Sequence, residues 1–212
     1  MSGSIKDGEV KTTDIGVGEV KTSNLADGAV TAAKIAVGAI SAASIQDGAI
    51  PPSKLSQDYA VFVDERPAGN TGGNAVPGWQ IRTLNKVASQ GGTAISLDTA
   101  SSRITLQPGT YFIDASAPSY ATNHHQAILR KLSDDSTAVR GTKENTDPGG
   151  NNSASRSVIR GYVTVVGTAE VFDVYHFTAV ATTGGLGLSY TFAAGQRVEP
   201  SVFTSVHIVR IK

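Results

Sequence analysis

The chain has no cysteine, one methionine and one tryptophan among its 212 residues. Without a thiol, disulfide staples, thiolate nucleophiles and cysteine metal sites are excluded. Net charge is also missing, because 18 Lys and Arg balance 18 Asp and Glu. The balance holds locally, with five Lys against six acids up to Ser56 and thirteen bases against twelve acids beyond it. That argues against nucleic acid or an anionic membrane as a partner held mainly by charge. No apolar run approaches the ~18 residues that span a bilayer, so no membrane insertion is expected. The opening stretch, Met1 to Asp7, also lacks the apolar core of a secretory signal. Synthesis in a cytoplasm without a cleaved signal is the expectation.

What the chain does have is a beat. Ile5, Val10, Ile15, Val20, Leu25, Val30, Ile35, Ile40, Ile45, Ile50 and Leu55 stand five residues apart. A ten-residue period overlies this one, since Gly8, Gly18, Gly28, Gly38 and Gly48 each follow every other apolar residue by three positions. Short-period self-similarity marks an architecture extended in one dimension. A helix does not fit, because five steps of about 100° scatter the apolar residues around its axis. A straight strand does not fit either, because an odd step alternates faces. Short extended pieces joined by glycine turns remain, with Asp7-Gly8, Asp27-Gly28 and Asp47-Gly48 as turn dipeptides. One such stripe buries too little apolar area to offset roughly 1–2 kcal/mol of backbone entropy per residue. Copies wound about a common axis would bury it, and three is the expected number for a fibrous β shaft. The eleven in-phase residues would then form the shaft core. A disordered Ala/Ser/Thr/Gly linker is the alternative, but it gives no reason to keep isoleucine in phase.

The pattern changes at Pro51-Pro52, which places a shaft or attachment segment at 1–56 and a second domain at 57–212. From Asp58 onward, short alternating and β-branched runs lie between Gly, Pro, Asn and Asp clusters. Strands are predicted at 59–63, 79–84, 93–97, 103–106, 110–115, 126–132, 157–166, 170–179, 186–192 and 202–211. Such a count points to an all-β sandwich or jelly roll. Trp79, Tyr111, Phe112, Phe172, Tyr175, Phe177, Tyr190, Phe192 and Phe203 fall within these runs. Tyr111, Phe177, Phe192 and Phe203 are the candidates for core or inter-subunit packing.

Two stretches carry a resemblance. Residues Ile104 to Ile113, with Pro108-Gly109 at the turn and Tyr111-Phe112 after it, resemble the C1q/tumour-necrosis-factor-like jelly roll. Val202 to Ile211 resembles its last strand, and Phe192 to Val198 the turn before that strand. The decapeptide repeat resembles stalks of fibre, spike and head-fibre proteins of tailed bacteriophages. Both resemblances imply a homotrimer. Together they imply a virion protein whose shaft meets other tail or capsid proteins and projects a jelly-roll knob for attachment to a host surface glycan or protein. A capsid decoration or head-fibre protein at a lattice threefold and a glycan-cleaving spike are the alternatives.

Chemistry is sparse. His124 and His125 are adjacent, so on a strand they point to opposite faces, and neither has a further ligand at metal spacing. Residues 184–189 are glycine-rich but lack the lysine of a phosphate loop. Asp134-Asp135 lacks the glycine and closing glutamate of a calcium loop. No Gly-x-Ser-x-Gly elbow exposes a nucleophile. No enzyme activity, metal or cofactor is expected. Two polar loops are the binding candidates. One is 119–125, where Tyr120, Asn123, His124 and His125 combine a ring with amide and imidazole groups suited to sugars. The other is the long stretch 143–153.

Overall fold

The computed structural model of the protein describes residues 9–47, 49–50, 57–149, 153–189 and 199–212. It divides into units Met1–Leu55 and Ser56–Lys212.

In the first unit the five-residue beat is a beat of turns. The N–H groups of Asp14, Glu19, Asn24, Ala29, Lys34, Ala39, Ser44 and Ala49 each donate to the carbonyl three residues earlier, at 2.9–3.2 Å. Alternate turns tighten into 3-10 pieces at Thr12–Asp14, Thr22–Asn24, Ala32–Lys34 and Ala42–Ser44. Among the turns between them, Gly18, Gly28 and Gly38 take φ of 81°, 74° and 80°, a region glycine enters without strain. The residues flanking the turns, such as Lys11, Ile15, Lys21 and Leu25, are extended. Side chains close some turns, since the Lys11 N–H donates to Asp14 Oδ2 and the Lys21 N–H to Asn24 Oδ1, both at 2.8 Å. The turns are thus held locally, but the apolar stripe is not covered. From Val10 to Ile50 the in-phase residues are 38–58% exposed. Ile5 and Leu55 lie outside the described residues.

The second unit is built of strands. They are β1 (Tyr59–Arg66), β2 (Gly78–Ile81), β3 (Lys86–Gly91), β4 (Ile95–Asp98), β5 (Arg103–Leu106), β6 (Gly109–Tyr120), β7 (Asn123–Lys131), β8 (Thr137–Thr146), β9 (Ala154–Val165), β10 (Glu170–Thr178) and β11 (Ser201–Arg210). The first sheet runs β3-β1-β11-β6-β9, and the second runs β8-β7-β10-β5-β4, with β2 also paired to β10. Gly141 opposite Ile159 joins the two sheets at β8 and β9. The antiparallel pairs β1/β11, β5/β10, β6/β9 and β7/β8 are nested in sequence. That nesting is the jelly-roll wrap expected above.

Several local expectations need correction. The predicted strand at 186–192 does not form over Leu186–Ser189, where Gly184 and Gly187 sit at φ of 70° and 139° and turn the chain. Its remainder, with Phe192, lies outside the described residues, as does the turn at 192–198. The predicted loop 119–125 is largely strand. Tyr120 ends β6 and Asn123 opens β7, and positive φ at Ala121 and Asn123, 50° and 62°, makes the reversal tight. The polar stretch 143–153 begins inside β8, where pairing with β7 overrides its composition. Two strands, β3 and β8, carry too little hydrophobic alternation to be read from sequence.

Inward-facing side chains of both sheets build the core, with Phe62, Tyr111, Ile113, Leu129, Ile159, Phe172, Val206 and Ile208 at 0–1% exposure. Tyr111 is thus core, and its hydroxyl donates to the Gln107 carbonyl at 2.7 Å. Phe203 is also buried, packed so tightly on Gly187 that a Cβ there would lie 2.2 Å from its ring. Another part of the interior is polar. Arg82 is fully buried, and its guanidinium donates to Thr204 Oγ1 at 2.8 Å, the Leu186 carbonyl at 2.6 Å and the Pro118 carbonyl at 3.4 Å. Burial lowers this guanidinium's pKa to about 9, an effect partly offset by Asp64. Nearby, His125 Nδ1 meets His176 Nε2 at 3.0 Å, and His125 Nε2 meets Ser155 Oγ at 2.7 Å. Burial pushes the His125 pKa down to about 4 and the His176 pKa further, with the Arg82 charge acting in the same direction on both.

Two outcomes follow for stability. A Cβ at Gly141 would lie 2.5 Å from the Ala127 carbonyl and 2.8 Å from Ser157 Oγ. Gly141→Ala is therefore expected to cost about 1–3 kcal/mol, read as a lower urea midpoint. The paired imidazoles stay neutral in the folded protein but protonate near pH 6.5 in the unfolded chain. Their folded pKa lies below the unfolded one, so stability is fully present above about pH 6.5 and is lost as pH falls toward the folded values. Each contributes up to about 1.4 kcal/mol per pH unit in that window. The Asp64 carboxyl, raised by burial, works in the opposite sense at lower pH. A urea midpoint unchanged between pH 7 and 5.5 would overturn the neutral pair.

Candidate functional site

Along β10 the side chains alternate, with Phe172, Val174, His176 and Thr178 buried and Tyr175 and Phe177 half-buried on the opposite face. The neighbouring strands extend that face in register. Trp79 of β2 stands opposite Phe177, and Ile81 opposite Tyr175. On the other side, β7 places Gln126 opposite Phe177 and Ile128 opposite Tyr175. β8 adds Lys143 opposite Gln126 and Asn145 opposite His124. A row Trp79, Phe177, Gln126 and Lys143 thus crosses four strands. It floors a cleft of about 620 Å³ whose rim carries His124, Glu144 and Asn145.

The aromatic wall is held from behind. The Trp79 indole stacks on Tyr175 with centroids 5.3 Å apart and planes 18° apart, and it meets the Phe177 ring at 5.6 Å and 60°. Arg130 lies over the Tyr175 ring, its Cζ 3.6 Å from the centroid. Its Nε and Nη2 donate to the two oxygens of buried Asp173 at 3.1 and 2.7 Å, and Arg103 Nη1 donates to Asp173 Oδ2 at 2.7 Å. The Asp173 hydrogen bonds, with the charge of Asp173, raise the Arg130 pKa above its ordinary value. An ion cluster, a cation–π contact and a ring stack thus fix the indole, which is still 41% exposed. The polar wall is different. Among the described residues the His124, Lys143 and Asn145 side chains make no hydrogen bond or ion pair. Gln126 Nε2 donates to the Gly141 carbonyl at 2.8 Å, which leaves its Oε1 as an acceptor.

Only some of the sequence candidates gather here. His124 and His125 do point to opposite faces yet both border the cleft, the first exposed and the second 1% exposed, with its ring turned inward to His176 and Ser155. Tyr120 and Asn123 sit at the β6–β7 reversal and do not line the cleft. Phe177 is a cleft wall rather than a core residue, and Phe192 lies outside the described residues. Sequence reading missed Trp79, Lys143 and Asn145 as site residues, because they come from strands far apart in the chain. The one usable signal was a lone tryptophan in a short strand.

The chain Ser155, His125, His176 has the look of a nucleophile, a base and an orienting group. Its surroundings oppose that role. A general base must hold a proton in the transition state, and burial with the Arg82 charge disfavours that at His125. Among the described residues no carboxylate orients the pair, since His176 Nδ1 has no hydrogen-bond partner. Among the described residues no three His, Asp or Glu side chains gather as metal ligands. A second cleft, of about 550 Å³, passes Ser155 and Arg156. There Arg156 is already committed to the Phe203 carbonyl at 2.8 Å and Ser116 Oγ at 3.0 Å.

No protein-family model and no curated protein sequence matches the chain. Solved structures similar to it include murine APRIL, at 10% identity and a TM-score of 0.48 over 73% of this chain and 99% of that one. The Eiger TNF of S. frugiperda is similar at 8% identity and a TM-score of 0.45, over 74% of this chain and 94% of that one. The vertex protein P5 of PRD1 is similar at 13% identity and a TM-score of 0.43, over 74% and 99%. At these identities the likeness is one of fold alone, and the jelly roll of the second unit stands on its own nested strand pairs.

Proposed function

We propose that the chain is a non-enzymatic structural protein of a virion that works as a homotrimer and attaches the particle to a host surface. The observation that carries this reading is an apolar row on the outward face of the first sheet. In register across four strands stand Tyr59 of β1, Val209 of β11, Phe112 of β6 and Tyr162 of β9. Tyr59 is 39% and Tyr162 65% exposed, and the Phe112 and Tyr162 rings meet at 5.3 Å. The next row, Val61, His207, Asp114 and Arg160, is mixed, with Arg160 paired to Asp114 at 2.7 Å. An apolar band beside a charged one is how a self-association face is composed.

The repeat supports the same number of copies from a different direction. Its in-phase isoleucines and valines stay in water in a single chain, and a closed bundle is the cyclic solution that buries them. The resemblance of that repeat to phage fibre stalks assigns it to joining the three chains and meeting other virion proteins. The 57–212 domain then offers the Trp79 cleft, which lies on the sheet opposite the apolar row, to the host.

Light scattering of the full chain is expected to give a mass near three times 21.8 kDa. Phe112→Asp with Tyr162→Asp should reduce that mass or leave the protein insoluble, while Asn145→Ala leaves it unchanged. A stable wild-type monomer would sink the trimer. Purified protein is expected to bind host cells. Rebinding only to stripped capsids would replace attachment with decoration.

A further inference from the structure

We propose that the Trp79 cleft is a carbohydrate site that takes a neutral pyranose residue of a surface glycan. Its place in biology rests on the attachment reading, but the binding itself does not. The two walls of the cleft fit the two sides of a sugar ring. A pyranose carries axial C–H groups on one side, weakly positive at hydrogen, and these are attracted to the negative face of an aromatic ring. Trp79 and Phe177 supply that wall, and with one indole face on Tyr175 the exposure of Trp79 belongs to its other face and edges. The hydroxyl rim of the sugar needs donors and acceptors without prior partners. His124, Asn145 and Lys143 are such groups among the described residues, and Gln126 Oε1 is a free acceptor.

Charge narrows the class. Lys143 and Glu144 both border the cleft, from opposite faces of β8, so its formal charges cancel. A phosphate or carboxylate ligand would ask for a bidentate arginine, and among the described residues no arginine lines the cleft, while Arg130 and Arg103 behind its wall are committed to Asp173. At about 620 Å³ the cleft holds one or two sugar residues. The ladder Trp79, Tyr175, Arg130 and Asp173 crosses β2, β10 and β7, so the platform is rigid before the ligand arrives. Ordering a free tryptophan would otherwise cost affinity, and here that cost is met in folding.

The chain's single tryptophan is also the reporter. Full-length protein is titrated with the methyl glycosides of glucose, galactose and N-acetylglucosamine, and with glucuronate and adenosine as controls, while indole emission is followed. At least one neutral glycoside is expected to give a saturable change with a Kd of about 0.1–10 mM, within the range for ligands of this size. Asn145→Ala and Gln126→Ala, both of which keep Trp79, should each raise that Kd about fivefold to tenfold. Phe177→Ala should do so by a similar factor, with the urea midpoint checked to exclude unfolding. No saturable change up to about 100 mM would overturn the proposal, as would a response confined to glucuronate or adenosine, or a Kd that none of the three variants moves. Host-cell binding is measured in parallel with and without saturating glycoside. Sugar binding without cell binding would leave the site standing and remove the attachment reading.

Discussion

The structure depends most on a guanidinium with no access to water. Arg82 ties the segment that follows β2 to elements with which β2 does not pair. Its side chain reaches β11 at Thr204, β6 at Pro118 and the turn at Leu186. Its own N–H donates to the Val174 carbonyl at 2.8 Å and so continues the pairing of β2 with β10. Burying a cation is unfavourable unless its donors are met, and once they are met, removing it takes a donor from two carbonyls and a hydroxyl. β2 has four residues and a single pairing partner. Three positions before Arg82 on that segment stands Trp79, so the anchor of the interior also sets the position of the exposed indole. The polar interior and the cleft are in this sense one construction, with His176 and Phe177 as neighbours facing opposite ways from the same strand.

Apolar surface is left exposed in both units, in different patterns. In the repeat it is a thin line of single aliphatic side chains, each separated from the next by a turn that closes its own hydrogen bonds. In the jelly roll there are two patches. The Tyr59, Val209, Phe112 and Tyr162 row runs across the outward face of the first sheet beside charged neighbours. The Trp79 and Phe177 patch lies in a concavity rimmed by unpartnered polar groups. An apolar row four strands wide suits another protein surface, whereas a larger concave aromatic wall with free donors suits a small amphipathic ligand. The shape and the polar rim separate the roles, since both patches are aromatic.

Much of the fold was legible because its strands alternate strongly. β1, β5, β6, β9, β10 and β11 bury alternate residues over much of their length, many of them Phe, Ile, Leu, Val, Tyr or Ala, and that period is what the sequence displays. β3 and β8 were illegible, because β3 exposes nearly every side chain and β8 mixes Arg, Lys and Glu with a glycine that fits only where two sheets meet. The site was half legible. Adjacency alone placed His124 and His125 on opposite faces, but that cannot show which face is water. The partners of His124 arrive from β2, β8 and β10 through register, which is a long-range property that no local window contains.

A single pyranose on one tryptophan binds weakly, since each hydrogen bond it makes replaces one to water. Weakness at one site is compatible with firm attachment when sites are linked. In the proposed trimer the copies share one rigid scaffold, so engagement of one cleft raises the local concentration of glycan at the others, and overall avidity can exceed single-site affinity by about 10²–10⁴. That gain requires clefts that do not reorganise on binding, since each adjustment would be repeated three times. The stack of Trp79 on Tyr175, itself under Arg130 and Asp173, meets this requirement, because the platform is set by contacts that exist without ligand. It also requires that the surface used for assembly is not the surface used for binding. The apolar row belongs to the first sheet and the cleft to the second, so burying one leaves the other open.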